Sequence, residues 1–498
     1  MRFGSPLEGF VFPLALFRRA LPWAAMLRPF RPDGRFFHIL IRLHGVDRHI
    51  TQENALMESS HTETDRPPSL PRLFLSFLRL GATAFGGPAM VAYIREMAVE
   101  RNQWLDEATF RDGVALCQTI PGATAMQTAA YVGLRARGLP GAAVCFAAFG
   151  LPAFCFMAIL SAFYVRTHDV PLVLATFHGL RAITVAIVAN ATLTFGKQAL
   201  NDPADVIIAA MAATLFAIQV NPIVVIVLAA LLGLVLCRGR MKDRQIRKGT
   251  VPFSSDKNRD SPPVGLSEGD SPIFVGRKSG QSPSCSLADP KPASQAMNKS
   301  AKDVCPRWRA TPLLLAAAAG FALLFVANRG LFDLGVLMSK VDLFAFGGGF
   351  ASIPLMHHEI VEVRSWMNSE TFMNGIALGQ VTPGPIVITA TFVGYLMYGI
   401  AGAVVATAGV FLPSFLMVVG IVPYFDRLRA SDRFNRCMSG VLASFVGLLL
   451  SVTIHFALEV PWDARRIVLS VAALAALFLR IGVPWVVLVG IVVSMAML

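Results

Sequence analysis

Apolar residues occur along this chain in long runs rather than in alternation. Leu139 to Val165, Leu172 to Phe195, Gly399 to Val422 and Cys437 to Leu458 each approach or exceed the length a helix needs to cross hydrocarbon. Six apolar elements fit before residue 238, near 71 to 94, 113 to 133, 139 to 164, 172 to 195, 204 to 218 and 221 to 237. A further element, Pro312 to Ala327, follows a long polar stretch and has no partner in the first half. The pattern predicts an all-α polytopic membrane protein with about 10 to 13 transmembrane spans. The elements 204 to 218 and 467 to 479 are short enough to be half-spans.

The same pattern appears twice. Phe85-Gly86-Gly87 recurs as Phe346-Gly347-Gly348, Trp104 answers to Trp366, and Gln118 to Gln380. Pro121-Gly122 matches Pro383-Gly384, Gly133 matches Gly394, Gly141 matches Gly402, and Leu151-Pro152 matches Leu412-Pro413. A duplicated hydrophobic unit is how many secondary carriers are built, with the substrate site at the repeat interface. Four segments follow: an N-terminal extension (1–69), a first repeat (70–237), a flexible linker (238–310) and a second repeat (311–498). The extension is Arg-rich and acid-poor. Met57 opens a polar lead-in, so translation starts there or the preceding stretch is a presequence. The linker is rich in Ser, Pro, Lys, Arg and Asp, and too poor in large apolar residues to order a core.

Composition agrees with a bilayer setting: 55% of residues are hydrophobic and 15% charged. The net charge of +13 resides in the extension, the loops and the linker, which is a positive-inside pattern and not a nucleic-acid footprint. The linker opens on Arg238-Gly239-Arg240-Met241-Lys242 directly after an apolar run, which places it in the cytoplasm. Arg135 and Arg137 mark a basic loop whose counterpart, Tyr395 to Gly399, carries no charge. One element later the bias reverses, with a nearly neutral loop at Arg166 to Pro171 and Arg427, Arg429, Arg433 and Arg436 in its counterpart. Equivalent loops therefore face opposite sides, and the repeats are expected to be inverted, as one unmatched span between them requires. The seven cysteines, Cys117, Cys145, Cys155, Cys237, Cys285, Cys305 and Cys437, show no metal-type spacing and read as small core residues.

Candidate chemistry concentrates where apolar segments are interrupted. Phe85-Gly86-Gly87-Pro88 and Phe346-Gly347-Gly348-Gly349 form one pair of breaks; Gln118-x-x-Pro121-Gly122 and Gln380-x-x-Pro383-Gly384-Pro385 form the other. Broken backbone inside a membrane must be satisfied by protein, water or substrate, and a helix restarting after a break offers N–H groups to an anion. The competing reading is that the small residues only let helices pack closely. Arg79 and Lys340 each lie six residues before the equivalent Phe, so a cation stands at matching positions of the two halves; snorkelling to an interface is the alternative. Arg181 is embedded in an apolar run near His178 and Asn190, and its counterpart is Leu442. Glu96, Glu100, Asp106, Glu107, Asp112, Glu359, Glu362 and Glu370 line the segment between breaks. Most read as solvated faces, with Glu100 and Glu362 as candidates for proton coupling. Trp104 and Trp366 read as interfacial anchors. No His-Glu-x-x-His, Gly-x-Ser-x-Gly or intramembrane Asp pair is present, so the chain is expected not to be an enzyme and to need neither cofactor nor metal.

The paired Phe-Gly-Gly segments, each followed by a Trp and then by Gln-x-x-Pro-Gly, resemble the chromate ion transporter family over residues 75 to 458. The first half carries Ala123 where the second has Pro385, a small departure from the Pro-Gly-Pro form. The resemblance implies secondary active export of chromate across the cytoplasmic (inner) membrane, driven by the proton motive force, and hence chromate resistance. Sulfate or another oxyanion as substrate, or an anion channel, are the alternatives. Chromate and sulfate are tetrahedral dianions of similar size, which a site of backbone N–H groups and one or two cations discriminates poorly. The partners implied are the lipid bilayer, chromate and possible competitors such as sulfate, protons as coupling ion, and no nucleic acid; association with copies of itself is left open.

Overall fold

The structure, a computed structural model, describes residues 67–85, 87–167, 170–236, 310–424 and 431–497. The extension up to residue 66, most of the linker, Gly86 and the basic loop 425–430 lie outside the described residues. Among the described residues every regular element is helical. The first repeat comprises α1 (Leu70–Thr83), α2 (Gly87–Arg95), which continues into a π-helical stretch (Glu96–Arg101), α3 (Glu107–Thr119), α4 (Thr124–Thr167), α5 (Pro171–Ala199), α6 (Pro203–Ala217) and α7 (Pro222–Leu236). The unmatched α8 (Ala310–Ala327) precedes the second repeat. That repeat comprises α9 (Arg329–Phe344), α10 (Ser352–His357) with its π-helical stretch (His358–Val363), α11 (Ser369–Val381), α12 (Thr389–Ile421), α13 (Asp432–Glu459), α14 (Ala464–Phe478) and α15 (Val483–Met497).

The duplication extends to backbone angles, in two of three pairs at positions where the side chains differ. Gln103 and Ser365 both have φ of 50°, Gly122 and Gly384 have φ of 113° and 116°, and Gln219 and Arg480 have φ of 62° and 63°. Helix starts repeat as well: Asp106 accepts from the Thr109 N–H at 3.1 Å, and Asn368 accepts from the Thr371 N–H at 2.9 Å. Each cap satisfies a backbone donor that a helix start leaves free. The Thr109 hydroxyl first, and the cap bond after it, hold the Asp106 carboxyl below its ordinary pKa.

The elements expected near 71 to 94 and 113 to 133 are not continuous helices; each folds back on itself. Arg72 donates to Asn102 Oδ1 at 3.2 Å and the Phe77 ring stacks on Trp104 at 6.3 Å, so α1 and the end of the following π-helical stretch lie side by side. Tyr131 donates to the Thr109 carbonyl at 3.3 Å, bringing the first arm of α4 back along α3. The first tip lies just beyond Ala84-Phe85 and the second is the Pro121-Gly122 break. At the second the physical reason is local: Gly122 at a φ of 113°, preceded by Pro121, turns the chain more cheaply than it continues a helix. Both bases lie together, since Arg137 donates to the Pro68 carbonyl at 2.9 Å.

α4 and α12 each turn sharply, at Arg137–Gly138 and Tyr398–Gly399, where Gly138 and Gly399 have φ of 67° and 60°. The arms then meet at the matched glycines. A Cβ on Gly133 would lie 2.2 Å from the Gly141 carbonyl oxygen, and one on Gly394 equally 2.2 Å from that of Gly402. Close backbone approach explains both glycine pairs seen in the sequence. The arms also pair across repeats. Phe392 on the first arm of α12 packs on Tyr164 near the end of α4 at 5.2 Å, and Ala130, Tyr131 and Leu134 on the first arm of α4 cluster with Phe415, Val418 and Val419 near the end of α12.

Among the described residues four elements are long and apolar enough to cross a membrane, Thr124–Thr167, Pro171–Ala199, Ile386–Ile421 and Asp432–Glu459. The expected short elements are indeed short, α6 and α14 having 15 residues each. Apolar side chains lie outward on many helices: Leu315 is 71% exposed, Val326 83% and Leu458 81%. Together these features describe a multi-pass membrane protein, since lipid is the environment that such a surface suits. Of the cysteines described, Cys117 and Cys145 are buried, Cys437 is half-buried and Cys155 is exposed; Cys237, Cys285 and Cys305 lie outside the described residues.

Candidate functional site

The four breaks meet, and they do so reciprocally. The Gly122 N–H donates to the Ala345 carbonyl at 2.8 Å, and the Gly384 N–H donates to the Ala84 carbonyl at 3.1 Å. The second tip of each repeat thus holds the first tip of the other. Helices α2, α4, α10 and α12 all begin within a few residues of this junction. The positive ends of their peptide dipoles therefore gather at one place.

Two side chains retain free hydrogen-bonding capacity, Gln127 at the first-repeat tip and Gln380 four residues before Gly384 on α11. Gln380 Nε2 is a buried donor without a partner, and Gln127 Oε1 is a buried acceptor without one. Gln127 Nε2 donates to the Pro121 carbonyl at 2.5 Å, which braces the first-repeat tip. An unsatisfied donor away from water costs about 1–3 kcal/mol, a deficit that a polar ligand relieves.

The repeats differ in one respect at this point. Asp342, fully buried on α9, accepts from the Ser414 N–H at 2.8 Å and from its hydroxyl at 3.0 Å. The Ser414 hydroxyl also accepts from the Ala123 N–H at 3.2 Å. A Cβ on Gly122 would lie 3.0 Å from Asp342 Oδ1, so this carboxyl stands against the first-repeat tip. At the matching place in the other repeat Gly81 and Ala153 carry no polar side chain, and a Cβ on Gly384 would lie 2.6 Å from that of Ala153. Sequence reasoning missed Asp342, Ser414 and Gln127. The available signal was a lone acid in Val341-Asp342-Leu343-Phe344, facing a glycine in the duplicate.

The residues expected at the site distribute as follows. Pro121, Gly122, Pro383, Gly384 and Pro385 are buried at the tips, and Phe346, Gly347, Gly348 and Gln380 are half-buried beside them. Gly347 and Gly348 have φ of 95° and 99°, which only glycine adopts readily. Phe85 and Gln118 are exposed; Gly87 opens α2, and Gly86 lies outside the described residues. Lys340 is half-buried and paired with Glu359 at 2.5 Å, whereas its counterpart Arg79 is exposed on α1. The chain does not place the two cations in the same surroundings.

The carboxylates divide by repeat. In the first, Arg95 pairs with Glu100 at 2.5 Å and Glu107 at 2.8 Å, and Arg101 pairs with Glu96 at 2.5 Å, largely on an exposed face as expected. In the second, Glu359 and Glu362 are drawn inward, Glu362 meeting His358 at 2.6 Å, whereas Glu370 stays exposed and pairs with the buried Arg181 at 2.7 Å. Arg181 donates as well to Asn374 at 3.1 Å, which in turn donates to Tyr164 at 3.2 Å. Arg181 is therefore a tie between α5 and the second-repeat hairpin. Trp104 and Trp366 both lie half-buried beside the π-helical stretches, each donating its backbone N–H back across the stretch at 2.8 Å.

Comparison with known proteins agrees with the duplication. A family model described as "Chromate transporter" matches twice, over residues 71–234 and 332–495. An uncharacterized transporter of Methanocaldococcus jannaschii is 38% identical over 428 residues, covering 86% of this chain and 94% of that protein. A chromate transport protein of Cupriavidus metallidurans is 29% identical over 432 residues, covering 85% and 93%. An uncharacterized transporter of Bacillus subtilis is 30% identical over 139 residues, 27% of this chain but 78% of that protein, which is thus about one repeat in size. No solved structure matches.

Proposed function

The chain belongs to the chromate transporter family and is a membrane transport protein rather than an enzyme; from that premise we propose that it exports chromate from the cytoplasm across the inner membrane and so confers chromate resistance. The observation that carries this reading is the junction of four hairpin tips, where helix N-termini and the unsatisfied Gln380 donor make a setting for a small oxyanion. In this reading Gly87, Gln118 and the remaining described tip residues line the path, and Arg79 and Lys340 lead to it; the expected contribution of Gly86 falls outside the described residues.

The packing of the arms supports antiparallel repeats. Phe392 on the first arm of α12 lies beside Tyr164, which fits a turn after Tyr398 at the same end as Thr167. Tyr131 and Leu134 cluster with Val418 and Val419, so the matching turn at Gly138 falls at the same end as Ile421. Equivalent turns at opposite ends are what inversion requires, and loop charge independently favours it. Reading each pair of tips as re-entrant hairpins lowers the number of true spans below the expected 13.

Coupling is assigned to Asp342. Glu100 is exposed and neutralised by Arg95, and Glu362 is engaged by histidines, whereas Asp342 touches the tips themselves. A carboxylate there repels a dianion; a proton on it removes the repulsion, so proton and anion binding favour each other. A dianion travelling with one proton carries net charge −1, which an inside-negative potential drives outward. Across about 100 mV that supplies about 2.3 kcal/mol, or roughly a 50-fold gradient.

Everted vesicles should accumulate labelled chromate against its gradient, an uncoupler should abolish accumulation, and excess sulfate should compete only partly. Downhill flux unaffected by uncoupler would make the protein a channel. Full displacement by equimolar sulfate would make it a general oxyanion carrier.

A further inference from the structure

We infer that His357, Glu362 and His455 form a binding site for a divalent transition-metal ion of the zinc class, separate from the anion junction and independent of the chromate reading. One ligand atom from each residue lies within 4.8 Å of the others. The sequence shows no metal spacing because the ligands come from distant elements: two from the end of α10 and its π-helical stretch, one from the last turns of α13.

The arrangement of hydrogen bonds leaves this cluster short of a positive charge. His357 is fully buried, and its Nε2 lies 3.2 Å from the Ser369 hydroxyl. In the tautomer in which Nε2 donates to Ser369, Nδ1 carries a lone pair; it has no hydrogen-bond partner and stands 3.3 Å from Glu362 Oε1. A lone pair facing a carboxylate oxygen is unfavourable unless a cation lies between them. The other Glu362 oxygen is held by His358 Nδ1 at 2.6 Å, and His455 Nε2 lies 3.0 Å from Glu459 Oε1. Each ligand therefore has an oxygen or nitrogen partner that fixes its orientation, the usual support of a metal-binding imidazole or carboxylate.

The first repeat supplies an independent argument. By the same register His357 corresponds to Arg95, Glu362 to Glu100 and Ser369 to Glu107, and Arg95 binds both of those glutamates. A permanent cation thus occupies, in the duplicate, the place where the second repeat has a neutral-capable ring. There the charge must arrive from outside, and two imidazoles with one carboxylate suit Zn²⁺ or Co²⁺ rather than Mg²⁺ or Ca²⁺. The His455 side chain is 44% exposed, which gives the ion a way in. Bound there, the ion pins the second-repeat hairpin to α13.

The test uses the full chain, purified through a tag without histidines, stripped with chelator and reconstituted in nanodiscs. Equilibrium dialysis with Zn²⁺ should find one ion per chain, thermal unfolding should shift upward, and Co²⁺ should give the visible absorption of a low-symmetry nitrogen–oxygen site. His455→Ala, at a half-exposed position that tolerates truncation, should weaken Zn²⁺ binding at least tenfold, and Glu459→Ala by about tenfold. Arg95→Ala should leave zinc binding unchanged. Absence of retained zinc in the wild type would overturn the proposal and assign the missing charge to a proton on His357. Equal binding by wild type, His455→Ala and Glu362→Gln would overturn it too, by placing the ion elsewhere.

Discussion

Asp342 is fully buried, and its surroundings set its chemistry. It has no cation within ion-pair reach among the described residues, and both its oxygens are held by Ser414 alone. Such a group inside a membrane protein is retained against a cost, since burying an unpaired charge is expensive and a neutral carboxyl is not. Asp342→Asn keeps the acceptor toward the Ser414 N–H and the shape of the side chain, so the protein should reach the membrane. If the carboxyl carries the coupling proton, wild-type transport should fall with rising pH by up to about tenfold per unit, and the variant should lose that slope while still passing anion. An unchanged pH profile would remove Asp342 from coupling. Gln380→Ala should weaken anion binding by about tenfold, the loss of one interaction of about 1.4 kcal/mol, as read from competition by unlabelled chromate. The glycine and proline positions of the site were legible in the sequence because they repeat. Asp342 was not, because its partner Ser414 is distant in the chain and its duplicate is Gly81, so repetition itself concealed it.

At the scale of elements, hydropathy located the breaks but could not say which way the chain continues beyond them. A Gly-Gly or Pro-Gly interruption looks alike in a span that resumes and in a hairpin that turns back, since both leave apolar residues on either side. What decides is contact made after folding, such as Arg72 with Asn102 and Tyr131 with Thr109. The glycine pairs show the same limit: their matching was visible, but their purpose, bringing two arms into backbone contact, required the turn at Tyr398–Gly399. Gly394→Val should therefore destabilise the α12 hairpin by about 1–3 kcal/mol, because the new side chain meets the Gly402 carbonyl and the arms cannot close. Gly420→Val is the control, since nothing lies within 4 Å of a Cβ there. Denaturation in detergent should separate the two variants; equal midpoints would mean that the arms adjust freely. Gly384→Leu belongs with the tips: φ of 116° and contact with Ala153 both oppose it, and chromate export should fall even where the protein accumulates normally.

For the whole molecule, two observations favour the proposed inversion. Loop charge favours Arg135 and Arg137 on the same side as the linker and the Arg427 to Arg436 segment. The contacts of Tyr131 and Leu134 with Val418 and Val419, and of Phe392 with Tyr164, suit a Gly138 turn and a Tyr398–Gly399 turn at opposite ends. In the proposed arrangement the unmatched α8 would supply the crossing that lets a second copy of the repeat begin from the opposite side. Inversion also accounts for the reciprocal bonds between Gly122 and Ala345 and between Gly384 and Ala84, because a two-fold axis in the membrane plane exchanges the two contacts. Reporter fusions at Arg137, Lys257 and Arg429 should therefore all report the cytoplasm, while a fusion at Tyr398 should report the outside. The decisive pair is Arg137 and Tyr398, which occupy equivalent turns of α4 and α12. If both report the cytoplasm, the repeats are parallel, the four tips cannot meet from opposite faces, and an anion passing between them would have no alternating access to explain.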